Sequence, residues 1–206
     1  MDQSAKFWNR IADRYSRQRV ADEESYLKKL KKTQEYFRPH MEVLEIGCGT
    51  GSTAIAHAPF VKHIEAIDIS SRMIEIARGK AEKGNVENIS FNCRGIDDLK
   101  VAAESLDAVM AHSILHLVED KDEVIAAIHR MLKPGGLFIS STTCLEGLLK
   151  LVKIIEPLGR LLGLMPMVKA FTTKELVRSV SDAGFKIHYQ WQPGKGKALF
   201  IVAIKG

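Results

Sequence analysis

The stretch VLEIGCGTGST, from Val43 to Thr53, places an apolar run directly before three alternating glycines, Gly47, Gly49 and Gly51. Glycine adopts backbone conformations that other residues avoid, and it lets a ligand approach the main chain closely. A strand that ends in such a turn and leads into a helix presents free backbone N–H groups to a ligand. The stretch therefore predicts a strand, a ligand-binding turn and a helix, in that order.

Two familiar phosphate-binding loops fit this stretch poorly. The phosphate loop requires a lysine after its last glycine, and no lysine follows Gly51. The dinucleotide fingerprint is GxGxxG, whereas here the third glycine comes one residue early and Ser52 stands where that fingerprint has glycine. Glu45 would also add negative charge beside a pyrophosphate. A nicotinamide-dependent oxidoreductase is therefore the less favoured interpretation.

The same loop suits a ligand that carries an ammonium group and no phosphates. Glu45 could meet that cation, directly or through water. Asp68 ends the next apolar run, IEAIDIS, and a carboxylate at that strand tip can accept both hydroxyls of a ribose. An amine together with a ribose indicates S-adenosylmethionine. The alternative is a tight turn whose glycines serve packing alone.

The chain alternates apolar, β-branched runs with helical patterns, which predicts an α/β fold with a parallel sheet and helices on both faces. Two final strand-like runs, 184–192 and 197–205, are joined by PGKG and predict an antiparallel C-terminal hairpin. The other predicted strands are Val43–Ile46, Ile64–Ile69, Ile89–Phe91, Leu106–Met110 and Leu137–Ser140, and the predicted helices between them are 51–58, 71–83 and 120–132. KPGG at 133–136 predicts a helix end and a turn.

Two segments lie outside this alternation within what we expect to be a single domain, 1–206. Residues 1–38 predict an N-terminal helical cover, with helices over about 5–20 and 23–37. Residues 145–170 form an apolar insertion broken by two prolines, and fourteen of the residues 145–168 are Leu, Ile, Val or Met. Such an insertion is often a lid, so we expect both segments to wall an apolar pocket.

Composition narrows the class further. The 206 residues carry a net charge of +5 and 46% apolar residues, as in ordinary globular proteins. Three cysteines without a CxxC pair argue against a disulfide framework or a metal site. The start has no apolar signal core, and nowhere do eighteen apolar residues run together. We expect a cytoplasmic monomer or homodimer without a transmembrane segment, with peripheral membrane contact left open.

These motifs resemble the class I S-adenosylmethionine-dependent methyltransferases, in particular the methyltransferase 11 or ubiquinone/menaquinone-methyltransferase-like group. VLEIGCGTG resembles the first motif of that family almost letter for letter, and AIDIS resembles its second element. SLDAVMAHSILHLVED, IHRMLKPGGLFIS and FTTKELVRSVSDAGFKI resemble its later strands and helices. The resemblance implies a Rossmann-like, seven-stranded, mostly parallel sheet and S-adenosylmethionine as cofactor.

The resemblance also assigns roles to single residues. The cofactor-binding residues it implies are Tyr15, Glu45, Gly47, Gly49, Gly51, Asp68, Ile69, Met73, Ile96, Asp97, Ala111 and His112. The family usually has an acidic residue, which reads the adenine amino group, where this chain has Gly95. Asp97 or backbone groups must then replace it.

Methyl transfer is a direct displacement, so the protein mainly aligns the reactants and excludes water. His116 is the candidate catalytic base, because a histidine can accept a proton near neutral pH, and the alternative is a loop histidine that packs. We expect a small, partly apolar methyl acceptor and no nucleic-acid partner. An RNA-modifying methyltransferase and a cofactor-binding partner protein without activity of its own are the alternatives.

Overall fold

A computed structural model describes residues 3–144, 155–156, 159 and 165–206. The strands are β1 (Glu42–Ile46), β2 (His63–Asp68), β3 (Ile89–Cys93), β4 (Leu106–His112), β5 (Leu132–Thr143), β6 (Phe185–Trp191) and β7 (Ala198–Lys205). Six α-helices are described over their full length, α1 (Gln3–Ser16), α2 (Glu23–Tyr36), α3 (Ser52–His57), α4 (Ser71–Lys83), α5 (Lys121–Met131) and α6 (Thr173–Asp182), and a short 3₁₀ helix, Ala58–Phe60, follows α3.

The strands form one seven-stranded sheet in the order β3-β2-β1-β4-β5-β7-β6. The pairs β1–β2, β2–β3 and β4–β5 are parallel, whereas β7 runs antiparallel to both β5 and β6. This topology confirms the predicted Rossmann-like α/β fold with its antiparallel C-terminal hairpin.

The chain divides into two compact units, Met1–Leu99 and Lys100–Gly206. In the first unit, β1 is buried along most of its length, and Val43, Leu44 and Ile46 are each at most 3% exposed. A parallel strand that is covered on both faces lacks the apolar–polar alternation of a half-exposed strand, and in VLEI the acidic Glu45 is as buried as its apolar neighbours.

Helix α4 shows how the sequence builds an element in the first unit. Its N-cap is Ser70, whose side chain accepts a hydrogen bond from the backbone N–H of Met73. Its buried residues, Met73, Ile74, Ala77 and Ala81, recur at helical spacing and form one apolar stripe. Gly84 ends the helix, and its N–H bonds the last carbonyl groups.

In the second unit, α5 ends at Met131 and β5 begins at once. Leu106 pairs with Leu132 but Ala108 pairs with Leu137, so the KPGG stretch bulges out of the β5 strand. The turn predicted at 133–136 is thus a bulge inside a strand. Helix α6 begins with a reciprocal capping box between Thr172 and Glu175.

The predicted N-terminal cover contains helices α1 and α2, and its role as a lid stays a prediction. The predicted insertion, 145–170, lies for the most part outside the described residues. Within the part of the chain that the structure describes, no helix is long and apolar enough to cross a membrane. The same part holds no cluster of three or more His, Cys, Asp or Glu side chains placed to bind a metal.

Candidate functional site

The glycine turn after β1 follows a left-handed backbone at every second residue. The φ angles are +68° at Gly47, +53° at Gly49 and +75° at Gly51. A Cβ atom at Gly51 would lie 2.8 Å from the Cβ of Ala77 and 2.9 Å from the Phe91 ring, so this glycine serves packing. A Cβ at Gly49 would meet nothing within 4 Å. Packing therefore explains Gly51, whereas Gly49 borders open space.

Asp68, at the end of β2, is bound to this turn by its side chain. The backbone N–H of Gly49 donates to its Oδ2 and that of Ser70 donates to its Oδ1, each at 2.9 Å. Burial raises the pKa of the carboxyl group, while the two N–H donors oppose that rise. The sequence placed Asp68 and Gly49 in one site, and the structure brings them into direct contact.

Glu45 is the last residue but one of β1 and is 2% exposed. The backbone N–H of Ala54, in the first turn of α3, donates to the carboxyl group, but Oε2 has no partner among the described residues. Burial raises its pKa to about 8, and the nearby Asp68 charge adds to the rise. The group is therefore mostly protonated at neutral pH, and a cation that reached Oε2 would favour its charged form.

Tyr26, in α2, is a candidate site residue that the sequence did not reveal. Its hydroxyl group forms a hydrogen bond with the Thr53 side chain, and it interacts electrostatically with Glu45 and Tyr15. Burial raises the pKa of this tyrosine. Tyr15 itself is 47% exposed and stands edge-on to Trp8, with ring centroids 6.3 Å apart. Tyr26 lies beside a lysine run that reads as a solvated helix face, so its sequence context gave no signal.

The region assigned to adenine contains a second residue that sequence reasoning missed. A Cβ atom at Gly95 would lie 3.6 Å from Asp98 Oδ2 and 3.7 Å from the Ile69 side chain. The carboxylate beside Gly95 is thus that of Asp98, whereas the sequence favoured its neighbour Asp97. Met73 is 2% exposed and packs in the interior of the first unit. The roles of Ile96 and Asp97 stay predictions.

The second unit contributes the residues that follow β4. Ala111 is fully buried, and His112 is the last residue of the strand. In the loop beyond, the carbonyl group of His116 accepts a hydrogen bond from the backbone N–H of Lys169 at 2.8 Å. The Nδ1 atom of the His116 ring has no hydrogen-bond partner among the described residues, and burial lowers the pKa of this imidazole. A neutral ring at pH 7 can accept a proton, as a base must.

An open cleft of about 770 Å³ also lies in the second unit, beside α5 and α6. Its walls carry acidic and basic side chains, among them Asp122, Lys169 and Arg178. This charged lining does not suit an apolar acceptor, and no predicted site residue contributes to it.

A mostly parallel sheet with a glycine turn after β1 and a carboxylate at the tip of β2 is the arrangement of the Rossmann-like class of proteins. A sequence profile described as "Methyltransferase domain" matches residues 37–192. The chain belongs to this methyltransferase family, which confirms the resemblance seen in its motifs.

Relatives and solved structures agree with this membership. The uncharacterized methyltransferase YcgJ of Bacillus subtilis is 30% identical over 132 residues, which is 64% of this chain and 52% of YcgJ. Its crystal structure superposes with a TM-score of 0.69 at 19% identity, covering 86% of this chain and 98% of that chain. A demethylmenaquinone methyltransferase of Leptospira interrogans is 30% identical over 146 residues, which is 65% of this chain and 57% of the relative.

A third similar protein comes from a complex of the Haloferax volcanii Trm112 methyltransferase activator with a protein assigned as a methyltransferase. The TM-score is 0.77 at 17% identity, and the match covers 98% of this chain and 96% of that chain. The match spans little more than half the length of each of these two curated relatives, 52% of YcgJ and 57% of the demethylmenaquinone methyltransferase.

Proposed function

We propose that this chain transfers a methyl group from S-adenosylmethionine to a small, partly apolar acceptor. The proposal is carried by the pair of carboxyl groups at the glycine turn. Glu45 offers a buried oxygen without a described partner, suited to an ammonium group. Asp68 is held by Gly49, at a position suited to ribose hydroxyls. Membership of the methyltransferase family supports the same ligand.

Different residues of the first unit would bind different parts of this cofactor. Glu45, Tyr26, which interacts with it, and Tyr15, which interacts with Tyr26, would hold the methionine end, where a cation meets a carboxyl group and aromatic rings. Gly49 leaves space for close approach of a ligand to the backbone. Asp68 would hold the ribose, and Asp98 would replace the acid that the family has in place of Gly95. When bound, S-adenosylmethionine supplies a methyl group on a positively charged sulfur.

The protein must also hold the methyl acceptor in line with the methyl group of the cofactor. Holding two reactants in line is worth on the order of 7–11 kcal/mol of the barrier. His116 would accept a proton if the acceptor must lose one, and its pKa, lowered by burial, keeps the ring neutral for that role. An apolar acceptor is supported by the Leu-, Ile- and Met-rich segment 145–168 and by the relative named for demethylmenaquinone.

Cellular location and assembly belong to the same proposal. None of the three cysteines forms a disulfide, which suits the reducing cytoplasm where we place the protein. We retain monomer or homodimer as the assembly.

Calorimetric titration with S-adenosylmethionine, repeated with NAD, tests the cofactor. We expect micromolar binding of S-adenosylmethionine and none of NAD. Asp68→Ala should weaken that binding at least tenfold, because a buried hydrogen-bonding carboxylate is lost. Glu87→Ala, which removes an exposed carboxylate of the same unit, is the matched control and should bind as the wild type does. A preference for NAD, or equal binding by Asp68→Ala, would refute the assignment of the loop.

Turnover then separates the remaining alternatives. Methyl transfer to members of a panel of small hydroxyl, thiol, amine and carbon acceptors supports the proposal. Tight, salt-sensitive binding and methylation of RNA would favour an RNA-modifying enzyme instead. Cofactor binding without turnover on any acceptor would indicate a cofactor-binding partner protein.

A further inference from the structure

Helix α1 is joined to the start of α4 by two polar side chains. The Oδ1 atom of Asn9 accepts hydrogen bonds from the Ser70 hydroxyl group at 2.7 Å and from the backbone N–H of Arg72 at 3.1 Å. One turn further along α1, the Asp13 carboxylate receives the Arg72 guanidinium group through Nε at 3.0 Å and Nη2 at 2.6 Å. The Asn9 hydrogen bonds thus reach the N-cap residue of α4, whereas the Asp13–Arg72 ion pair lies on the surface of that helix.

The direction of the Asn9 hydrogen bonds follows from their partners. The backbone N–H of Arg72 can only donate, so the Asn9 atom that faces it must be the carbonyl oxygen. The Ser70 hydroxyl oxygen already accepts from the backbone N–H of Met73 at 3.1 Å, which leaves its hydrogen to donate to Asn9. Ser70 is fully buried, so its hydroxyl hydrogen has no contact with water and is satisfied by Asn9.

Ser70 continues this path to the glycine turn. Its backbone N–H donates to Asp68 Oδ1, and the other oxygen of Asp68 accepts from Gly49. Four residues, Asn9, Ser70, Asp68 and Gly49, thus form an unbroken chain of hydrogen bonds within the first unit. We infer that Asn9 is a positioning residue for cofactor binding, because it holds Ser70 and, through Ser70, the Asp68 carboxylate.

The inference rests on the proposed function, which assigns Asp68 to the ribose. The Asp13–Arg72 ion pair offers an internal contrast, since it joins the same two helices without touching Ser70. Its side chains are 54% and 39% exposed, and ion pairs this exposed stabilise proteins little. We therefore assign the positioning of the Asp68 carboxylate to Asn9 and not to Asp13.

Three variants separate positioning from general support of the fold. Asn9→Leu removes the acceptor at similar size, Asn9→Asp keeps an acceptor oxygen, and Asp13→Asn is the matched control on the same helix. Each is titrated with S-adenosylhomocysteine and with its 2′,3′-dideoxy analogue, which lacks the hydroxyl groups that Asp68 would bind. Thermal unfolding of each variant is measured beside the titrations.

We expect Asn9→Leu to weaken S-adenosylhomocysteine about tenfold, the effect of one buried hydrogen bond, and the dideoxy analogue less than twofold. Asn9→Asp should restore binding of S-adenosylhomocysteine, and Asp13→Asn should match the wild type. Equal weakening of both ligands by Asn9→Leu, or no weakening, would overturn the inference. A wild-type protein that binds neither ligand would instead refute the proposed function, and the inference with it.

Discussion

The buried carboxyl group of Glu45 should make cofactor binding release a proton. Its pKa of about 8 in the unliganded protein means that about 0.9 of the molecules carry this proton at pH 7. A cation bound at Oε2 stabilises the charged form, so the pKa falls and the proton leaves. The α-amino group of the ligand, with an ordinary pKa of about 7.8, would take up about 0.1 proton in return. We therefore expect a net release of about 0.8 proton per cofactor at pH 7.

Calorimetry in buffers of different ionisation enthalpy measures this number directly. Titrations at pH 7 in phosphate and in Tris should give apparent binding enthalpies that differ by about 0.8 of the difference between the buffers. The affinity should also rise about eightfold between pH 6 and pH 7 and about twofold between pH 7 and pH 8. Above pH 8 it should fall, because the α-amino group of the ligand then loses its proton.

Glu45→Gln is the control, because it keeps the shape of the side chain and cannot ionise. It should bind the cofactor weakly, and its buffer dependence should shrink to the uptake of about 0.1 proton by the α-amino group of the ligand, opposite in sign to that of the wild type. The folded pKa of Glu45 lies above its ordinary value, so its contribution to stability is present at low pH and is lost as pH rises towards about 8. Glu45→Gln should consequently raise the unfolding midpoint at pH 8. A wild-type enthalpy that is equal in both buffers would refute the reasoning.

Four further predictions follow from single sites. Gly51→Ala should lower the unfolding midpoint, because the new methyl group would lie 2.8 Å from the Cβ of Ala77. Gly49→Ala should still fold, at a cost of about 1 kcal/mol, but should lose cofactor affinity. Thermal unfolding measures the first effect and titration with the cofactor the second. His57 is fully buried with its pKa lowered to about 4 by burial, so the unfolded state gains a proton first and stability is lost as pH falls from about 6.5 towards 4. Between pH 7 and pH 5, urea unfolding should show the wild type losing about 2 kcal/mol of stability relative to His57→Phe, and the difference between the two proteins isolates His57 from other titrating groups such as Glu45. His116→Ala should leave cofactor affinity unchanged and lower turnover about 100-fold with an acceptor that must lose a proton, and unchanged turnover would exclude it as the base. Asp98→Ala should weaken the binding of S-adenosylhomocysteine several-fold but not the binding of its inosine analogue, which lacks the adenine amino group. Equal weakening of the binding of both ligands would show that Asp98 does not contact the adenine.

Local chemistry explains what could be predicted of the site. Gly49 follows β1 and Asp68 ends the next parallel strand, and the ends of such strands meet at one edge of a sheet, so their contact followed from their order along the chain. The choice between Asp97 and Asp98 could not be made in this way. Two adjacent acids have the same sequence context, and only the turn that begins at Ile96 decides which one lies beside Gly95.

The sequence by itself determined the strand–helix alternation, the C-terminal hairpin, the left-handed glycine turn and the carboxylate of Asp68, because each depends on residues close together in the chain or on their order. Only the tertiary structure decided that Asn9 reaches Ser70 and that Tyr26 interacts with Glu45. The Asn9–Ser70 hydrogen bond and the Tyr26–Glu45 electrostatic interaction each join a helix to a segment that is distant in sequence. Which faces meet there depends on how the helices pack, and no local pattern records it.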